Sequence, residues 1–340
     1  MSGTAPEKHI LVTGGAGFVG SVLAGELLRL GYKVTVIDDL LFGGESLLAY
    51  LPHPGFRFVK GNVCETRTIK SALQGSWPRP EAIVHLAGIV GFPACQAVGR
   101  QAAWRYNVEA TQVVFDQANE ADVDRFIYLS SYSNYILSDP GGTQTEDTPL
   151  DPQSLYAETQ VHAERYLLTN REAPCSPLIF RTATLYGLSP RPRFDLILNQ
   201  FVYEAYMKRE LTIYQRSYSR SFLHVRDAVE GVILGLSASE ELVKGQVYNL
   251  GSVDGNCTKD ELVKLILKRL PETQVIYKDM TFGGDMRDLF VSYQKVKDRL
   301  GFKARFTPED GVREILYALR AGIIANPHDE RYRNARFIIA

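Results

Sequence analysis

Cysteine is scarce and scattered in this chain: four in 340 residues, at Cys64, Cys95, Cys175 and Cys257, with no CxxC pair. That spacing excludes a disulfide framework and the usual thiolate metal or redox motifs, and it points to reduced thiols in a cytoplasmic protein. Charge of one sign is not in excess. The 38 Lys and Arg against 39 Asp and Glu leave a net charge of −1, without the pervasive basic character of a dedicated nucleic-acid binder. No uninterrupted apolar run reaches the ~18 residues of a membrane-spanning helix. The opening MSGTAPEKH lacks the apolar stretch of a secretory signal. Internal repeats and low-complexity tracts are absent too. What is present is ordinary globular composition, 45% hydrophobic and 23% charged. The length suits about two domains, or one large α/β unit with an appended lobe.

Hydrophobic periodicity predicts alternating strands and helices through the first half. KHILVT at 8–13 is a short apolar run that ends in glycines, as a buried parallel strand does. Residues 17–30 carry Val19, Val22, Leu23, Leu27 and Leu30 at helical spacing, with Gly31 as a stop. Further strands are expected at 33–37, 57–60, 82–86, 126–129 and 178–181, and helices at 102–121 and 154–169. This alternation argues for a parallel sheet covered on both faces. After about residue 187 the rhythm breaks at the turn-rich segment SPRPR. A helix is expected at 194–207 and another at 225–236. A strand at 247–250 could return to the main sheet. From about 256 a small α/β lobe follows, with helices near 259–270 and 309–321, and PHDERYRN forms a surface arm.

The first predicted strand runs into TGGAGFVG at 13–20. In such a loop Gly14 permits the sharp turn, Gly17 lets the backbone approach a pyrophosphate, and Gly20 lets helix and strand pack closely. Phe18 and Val19 open the helix, whose exposed amides and dipole favour phosphate. Glycine-rich turns are common, so the loop alone says little. Asp38 strengthens it: the second strand ends there, about 20 residues on, where a carboxylate accepts from both ribose hydroxyls of adenosine. Its charge would repel a 2′-phosphate, which favours NAD over NADP.

Together with HLAG at 85–88, YNVEAT at 106–111 and a Ser-rich strand end before a YxxxQ helix, this loop resembles the extended short-chain dehydrogenases/reductases. More narrowly, the chain is similar to their NAD-dependent nucleotide-sugar epimerase/dehydratase group. SRSFLHVRD at 219–227, YNLGS at 248–252 and GGDMRD at 283–288 extend the likeness over nearly the whole chain. The resemblance implies an α/β fold: a Rossmann-type doubly wound parallel sheet with a smaller C-terminal α/β substrate lobe. Residues 1–188 would form the NAD-binding part, with 222–255 returning to it. Residues 189–221 and 256–326 would form the substrate lobe, and 327–340 the arm.

The resemblance also assigns positions. Asn62 stands where an Asp usually lies beside adenine, with Val63 next to it. Leu86, Ala87 and Gly88 match the loop beneath the cofactor, and Asn107 matches a mainly structural helix residue. Ser131 aligns with the catalytic Ser/Thr and Tyr156 with the catalytic tyrosine. A phenolate there would remove a hydroxyl proton while hydride leaves the same carbon for the cofactor. The residue one turn on, normally lysine, is Gln160. Glutamine can hydrogen-bond a ribose but cannot lower the tyrosine pKa by charge. An unperturbed tyrosine would be only about 0.1% ionised at pH 7. A slower or high-pH enzyme, a different base with Tyr132 as reserve, and a catalytically silent binding protein are all compatible with this change.

In the 4,6-dehydratases of the family an Asp-Glu pair follows the catalytic Thr, and here Tyr132 and Ser133 stand there. Their lack of carboxylates favours epimerisation through a transient 4-keto sugar, with oxidoreduction or dehydration as alternatives. Arg220 and Arg287 match arginines that hold a nucleotide-sugar diphosphate, a role suited to planar guanidinium. Asn199 is expected near substrate with Arg191 and Arg193 close by, and Thr184 and Tyr186 near cofactor and sugar. His85, His162, His224 and Cys95 are more simply read as packing residues. The resemblance further implies a homodimer through the helices at 102–121 and 154–169, a nucleotide-sugar substrate, and no metal, nucleic acid or membrane partner.

Overall fold

The computed structural model describes residues 8–75, 77–135, 142–214, 216, 219–278 and 289–335. β1 (His9–Thr13) leads to α1 (Phe18–Arg29), β2 (Lys33–Asp38), β3 (Phe56–Lys60), α2 (Thr66–Leu73) and β4 (Ala82–His85). α3 (Phe92–Trp104), α4 (Ala110–Glu120), β5 (Arg125–Ser131), β6 (Thr143–Gln144), α5 (Leu155–Thr169), β7 (Ser176–Thr182) and β8 (Thr184–Tyr186) follow. Next come α6 (Ile197–Lys208), β9 (Glu210–Tyr214), β10 (Ser219–His224), α7 (Val225–Ser237), α8 (Glu240–Val243), β11 (Gln246–Leu250) and β12 (Asn256–Thr258). α9 (Lys259–Leu267), β13 (Gln274–Lys278), β14 (Phe290–Val291), α10 (Gln294–Leu300) and α11 (Pro308–Arg320) complete the chain.

Seven strands make one sheet in the order β11-β7-β5-β4-β1-β2-β3, with every neighbouring pair parallel. Side chains alternate across it. Ile10 and Val12 join Leu23, Leu27 and Val229 of α1 and α7 on one face. Leu11 joins Ile69, Val114 and Leu167 of α2, α4 and α5 on the other. Because both faces are covered, the strands read as continuous apolar runs. At ~1.5–3 kcal/mol per buried aliphatic side chain, such a core holds without disulfides, and all four cysteines are unpaired. β1 lies between β2 and β4, so the strand order reverses there and a crevice opens beyond the strand ends. β11, from late in the chain, closes the far edge beside β7.

A second core gathers Leu198, Val202, Phe222, Leu262, Val312 and Ile315 from α6, β10, α9 and α11. No helix among the described residues is long and apolar enough to cross a membrane.

Two helices and the arm differ from expectation. The helix expected over 102–121 is divided: α3 ends at Trp104, Arg105–Glu109 form one π turn, and α4 begins at Ala110. The helix expected from 194 starts instead at Ile197, after an extended Leu196 (φ −84°, ψ 137°), and the Phe194 N–H donates to the Tyr332 carbonyl at 2.8 Å. The described part of the arm is therefore packed onto the small lobe.

Candidate active site

The C-terminal ends of β1, β2, β4 and β5 open on a cavity of about 400 Å³, lined by Gly14, Gly17, Phe18, Val19, Asp38, Asn62, Val63, Leu86, Ala87, Gly88, Tyr156 and Gln160 among others. Gly14 has φ +69°, a left-handed conformation, and a Cβ there would come within 2.7 Å of the Ala87 nitrogen. At Gly20 a Cβ would lie 2.3 Å from the Gly14 carbonyl oxygen, so a side chain would lift α1 off the loop. No side chain caps α1 at Gly17, which leaves its first amides to an anion. The Asp38 carboxylate accepts from the Ala16 and Leu40 amides at 2.9 and 2.8 Å. Burial pushes its pKa up against those two bonds. Each oxygen keeps a second lone pair that a ribose hydroxyl can use. A cradle that any Cβ would fill, next to a half-buried acid, fits a dinucleotide.

The floor of the cleft is held by buried polar bonds. Thr13 Oγ1 accepts from the Leu86 and Ala87 amides at 3.1 and 3.3 Å and bonds His85 Nδ1 at 2.7 Å. Burial holds His85 down at about 3, so it is neutral and structural. Asn107, carried by the π turn, accepts from the Ile89 amide at 2.7 Å and donates to the Ile89 carbonyl and to Thr159 Oγ1, both at 3.0 Å. It thereby ties the loop after β4 to α5. Asn62 Oδ1 accepts from the Cys64 amide at 2.9 Å, and its amide nitrogen donates to the Tyr106 hydroxyl at 3.4 Å.

α5 starts where the Ser154 hydroxyl accepts from the Ala157 amide at 3.1 Å. Tyr156 and Gln160, one turn apart, both face the cleft. Gln160 Oε1 accepts from the Tyr128 hydroxyl at 2.8 Å, so its amide nitrogen is the group left for a ligand. Burial, and then the nearby Cys95 thiol, push the Tyr156 phenol up to about 12, while Ser131 and Arg193 pull the other way. Ser131 Oγ lies 2.7 Å from Ser133 Oγ and accepts from the Ser133 amide at 3.2 Å. Behind them the buried Glu164 carboxylate takes the Arg181 guanidinium at 2.8 Å.

Of the remaining expected residues, Tyr132, Thr184, Tyr186, Asn199 and Arg220 lie off the cleft lining. Tyr132 is buried and its hydroxyl sits 2.8 Å from Thr184 Oγ1, so these two meet each other. Asn199 is fully buried; it accepts from the Gly187 amide and donates to the Gly187 and Arg193 carbonyls at 2.8–2.9 Å. Those bonds brace the loop that carries Arg191 and Arg193, and both arginines do line the cleft. The Tyr186 hydroxyl donates to the Phe306 carbonyl at 3.2 Å. Arg220 lies on β10 in the small lobe near Lys259, whose ammonium burial and Arg220 together pull down to about 8. Arg287 falls outside the described residues. His162 packs against Trp104, the ring centroids 4.6 Å apart and the planes tilted by 55°. Sequence reasoning passed over Thr13, Tyr106, Tyr128 and Asn334, of which the last three line the cleft. Thr13 opens TGGAGFVG and Tyr106 opens YNVEAT, but those motifs give neither a role; Tyr128 and Asn334 sit in none, although the two-residue alternation of β5 marks Tyr128 as sharing a face with Ser130. Among the described residues no group of His, Cys, Asp and Glu could hold a metal.

The NAD dependent epimerase/dehydratase family model matches residues 10–251, and the chain belongs to that family. The low-salt glycan biosynthesis protein Agl12 of Haloferax volcanii is 30% identical over 89% of this chain and 96% of its own. A UDP-glucose 4-epimerase of Thermotoga maritima, solved with UDP-glucose, superposes with a TM-score of 0.82 at 25% identity, over 93% of this chain and 99% of the other. A dTDP-glucose 4,6-dehydratase of Streptomyces venezuelae, solved with NAD, gives 0.81 at 25% identity over 93% and 98%. The protein is an NAD-dependent enzyme of the nucleotide-sugar epimerase/dehydratase class. Epimerases and dehydratases both stand among its relatives.

Proposed function

We propose that the protein is a nucleotide-sugar epimerase that works through a transient 4-keto sugar. The observation carrying this reading is where the acids are. Among the described residues lining the cleft, the carboxylates are Asp38 and Asp39 at the end of β2, whereas Tyr156 is accompanied by hydroxyls and amides. Tyr132 is turned into the core and Ser133 bonds Ser131, so neither offers the acid that elimination of water needs.

Bound NAD supplies a reversible hydride acceptor. Asp38 and the glycine loop hold its adenosine and pyrophosphate, and the Gln160 amide holds a ribose oxygen. The Tyr156 phenolate takes the proton of the sugar hydroxyl as the carbonyl forms, and returns it when the carbonyl is reduced on its other face. Ser131 donates to the same sugar oxygen and keeps it oriented. Arg220 and Arg287 meet the diphosphate of the substrate.

Four unpaired cysteines suit a reducing compartment, so a cytoplasmic location is part of the same proposal, and the family resemblance adds a homodimer. The test is incubation with a panel of UDP- and dTDP-sugars, followed by mass spectrometry and NMR. The reading requires a product of unchanged mass with an inverted carbon. A product lighter by one water would overturn it.

A further inference from the structure

The open side of the cofactor cleft is walled by residues far from the glycine loop. Arg191 is 5% exposed and its guanidinium lies over the Phe42 ring, 4.2 Å from the centroid. Its Nη1 donates to Asn334 Oδ1 and its Nη2 to the Arg331 carbonyl, both at 2.8 Å, while Nε is buried without a partner. Both Nη bonds end on neutral oxygens, so a buried charge stands at the cleft without a hydrogen-bonded carboxylate. Arg191, Phe42 and Asn334 line the same cavity as Gly14 and Asp38.

The segment that brings Asn334 there is fastened unequally. On the small lobe the Tyr332 carbonyl accepts from Phe194, the Asn334 amide donates to Asp195 at 2.9 Å, His328 Nδ1 bonds the Tyr203 hydroxyl, and Arg333 lies over the Tyr203 ring. Across the cleft the ties are lighter. The Arg331 guanidinium meets Glu45, both about half exposed, and Asn334 Nδ2 reaches the Val90 carbonyl at 3.4 Å. A strap anchored on one side and loosely tied on the other can open without unfolding.

We propose that Arg191 and Asn334 are cofactor-binding residues, and that residues 331–334 form a strap over the adenosine–pyrophosphate stretch of NAD, closed by the Arg331–Glu45 pair. The position follows from the neighbours: Phe42 and Glu45 succeed Asp38, and Val90 succeeds the Leu86–Gly88 loop. Burial supports a demand for an anion, since it draws Arg191 down to about 10. The inference rests on NAD binding alone and is independent of which sugar reaction follows.

Stopped-flow release of NADH from the full-length protein, read by its fluorescence, tests it without any turnover. Arg331→Gln and Glu45→Gln are surface changes that leave folding intact. Each should speed release roughly three- to fivefold, the scale of an exposed ion pair, and the double variant should be no faster than either single one. Asn334→Ala should also speed release, and Arg191→Met should do so by at least about tenfold. ADP-ribose, displaced by excess NAD, should leave faster by the same factors because it keeps the half under the strap. Native release rates in Arg331→Gln, Glu45→Gln and Asn334→Ala would overturn the proposal, as would ADP-ribose release that none of the changes alters.

Discussion

On the proposed mechanism the chemistry turns on the ionisation of Tyr156. A phenol pushed up to about 12 is ionised on the order of one part in 10⁵ at pH 7. Lysine at the next turn would stabilise the phenolate by charge, and Gln160 offers only a dipole. Activity should therefore climb with pH well beyond neutrality, because the phenolate is the form that removes the proton. Gln160→Lys should move that rise to lower pH, and Tyr156→Phe should abolish turnover with NAD affinity almost unchanged. A pH–rate profile of the three proteins checks this; full activity in Tyr156→Phe would place the base elsewhere. Asp38 belongs to the same scale. It should give NAD a clear advantage over NADP in calorimetric titration. Asp38→Ala should weaken NAD by roughly 10- to 100-fold, the scale of hydrogen bonds to a charged group.

At the scale of elements, α5 and the π turn carry the site. Tyr156, Gln160 and Glu164 recur every fourth residue, so one helix face meets the cleft and then a buried ion pair. Glu164→Gln leaves Arg181 charged and buried, and should cost about 3–5 kcal/mol in denaturant unfolding. Asn107→Ala leaves the Ile89 amide and carbonyl with lost partners and should cost at least about 2 kcal/mol. It should also loosen NAD, since the loop after β4 would no longer be tied to α5. The glycine loop, Asp38, Tyr156 and Gln160 were legible in the sequence because each belongs to a pattern a few residues long. Tyr132 was not, since the short turn at Tyr132–Asn134 after Ser131 decides which way that side chain points. Asn199 looked like a substrate residue because its partners, Gly187 and Arg193, announce themselves only once the loop folds over it. Arg191 and Asn334 meet across 143 residues of sequence, a separation no local pattern reports.

For the whole molecule, two cores are joined beside one cleft. His224 at the end of β10 bonds Glu314 of α11 at 2.9 Å, and the same carboxylate accepts from the Leu188 amide. Arg193 and Asp195, a buried ion pair 2.8 Å apart, sit where the small lobe meets the cleft. On the proposed function this arrangement would hold a substrate at Tyr156 and NAD at the glycine loop. On that proposal hydride would leave and return within one closed complex. The most direct measurement uses a nucleotide-sugar deuterated at C4 and follows the label by NMR through a complete turnover. The account predicts an epimer with deuterium retained at C4 and none released to water. Deuterium at another carbon, or lost to solvent, would contradict it.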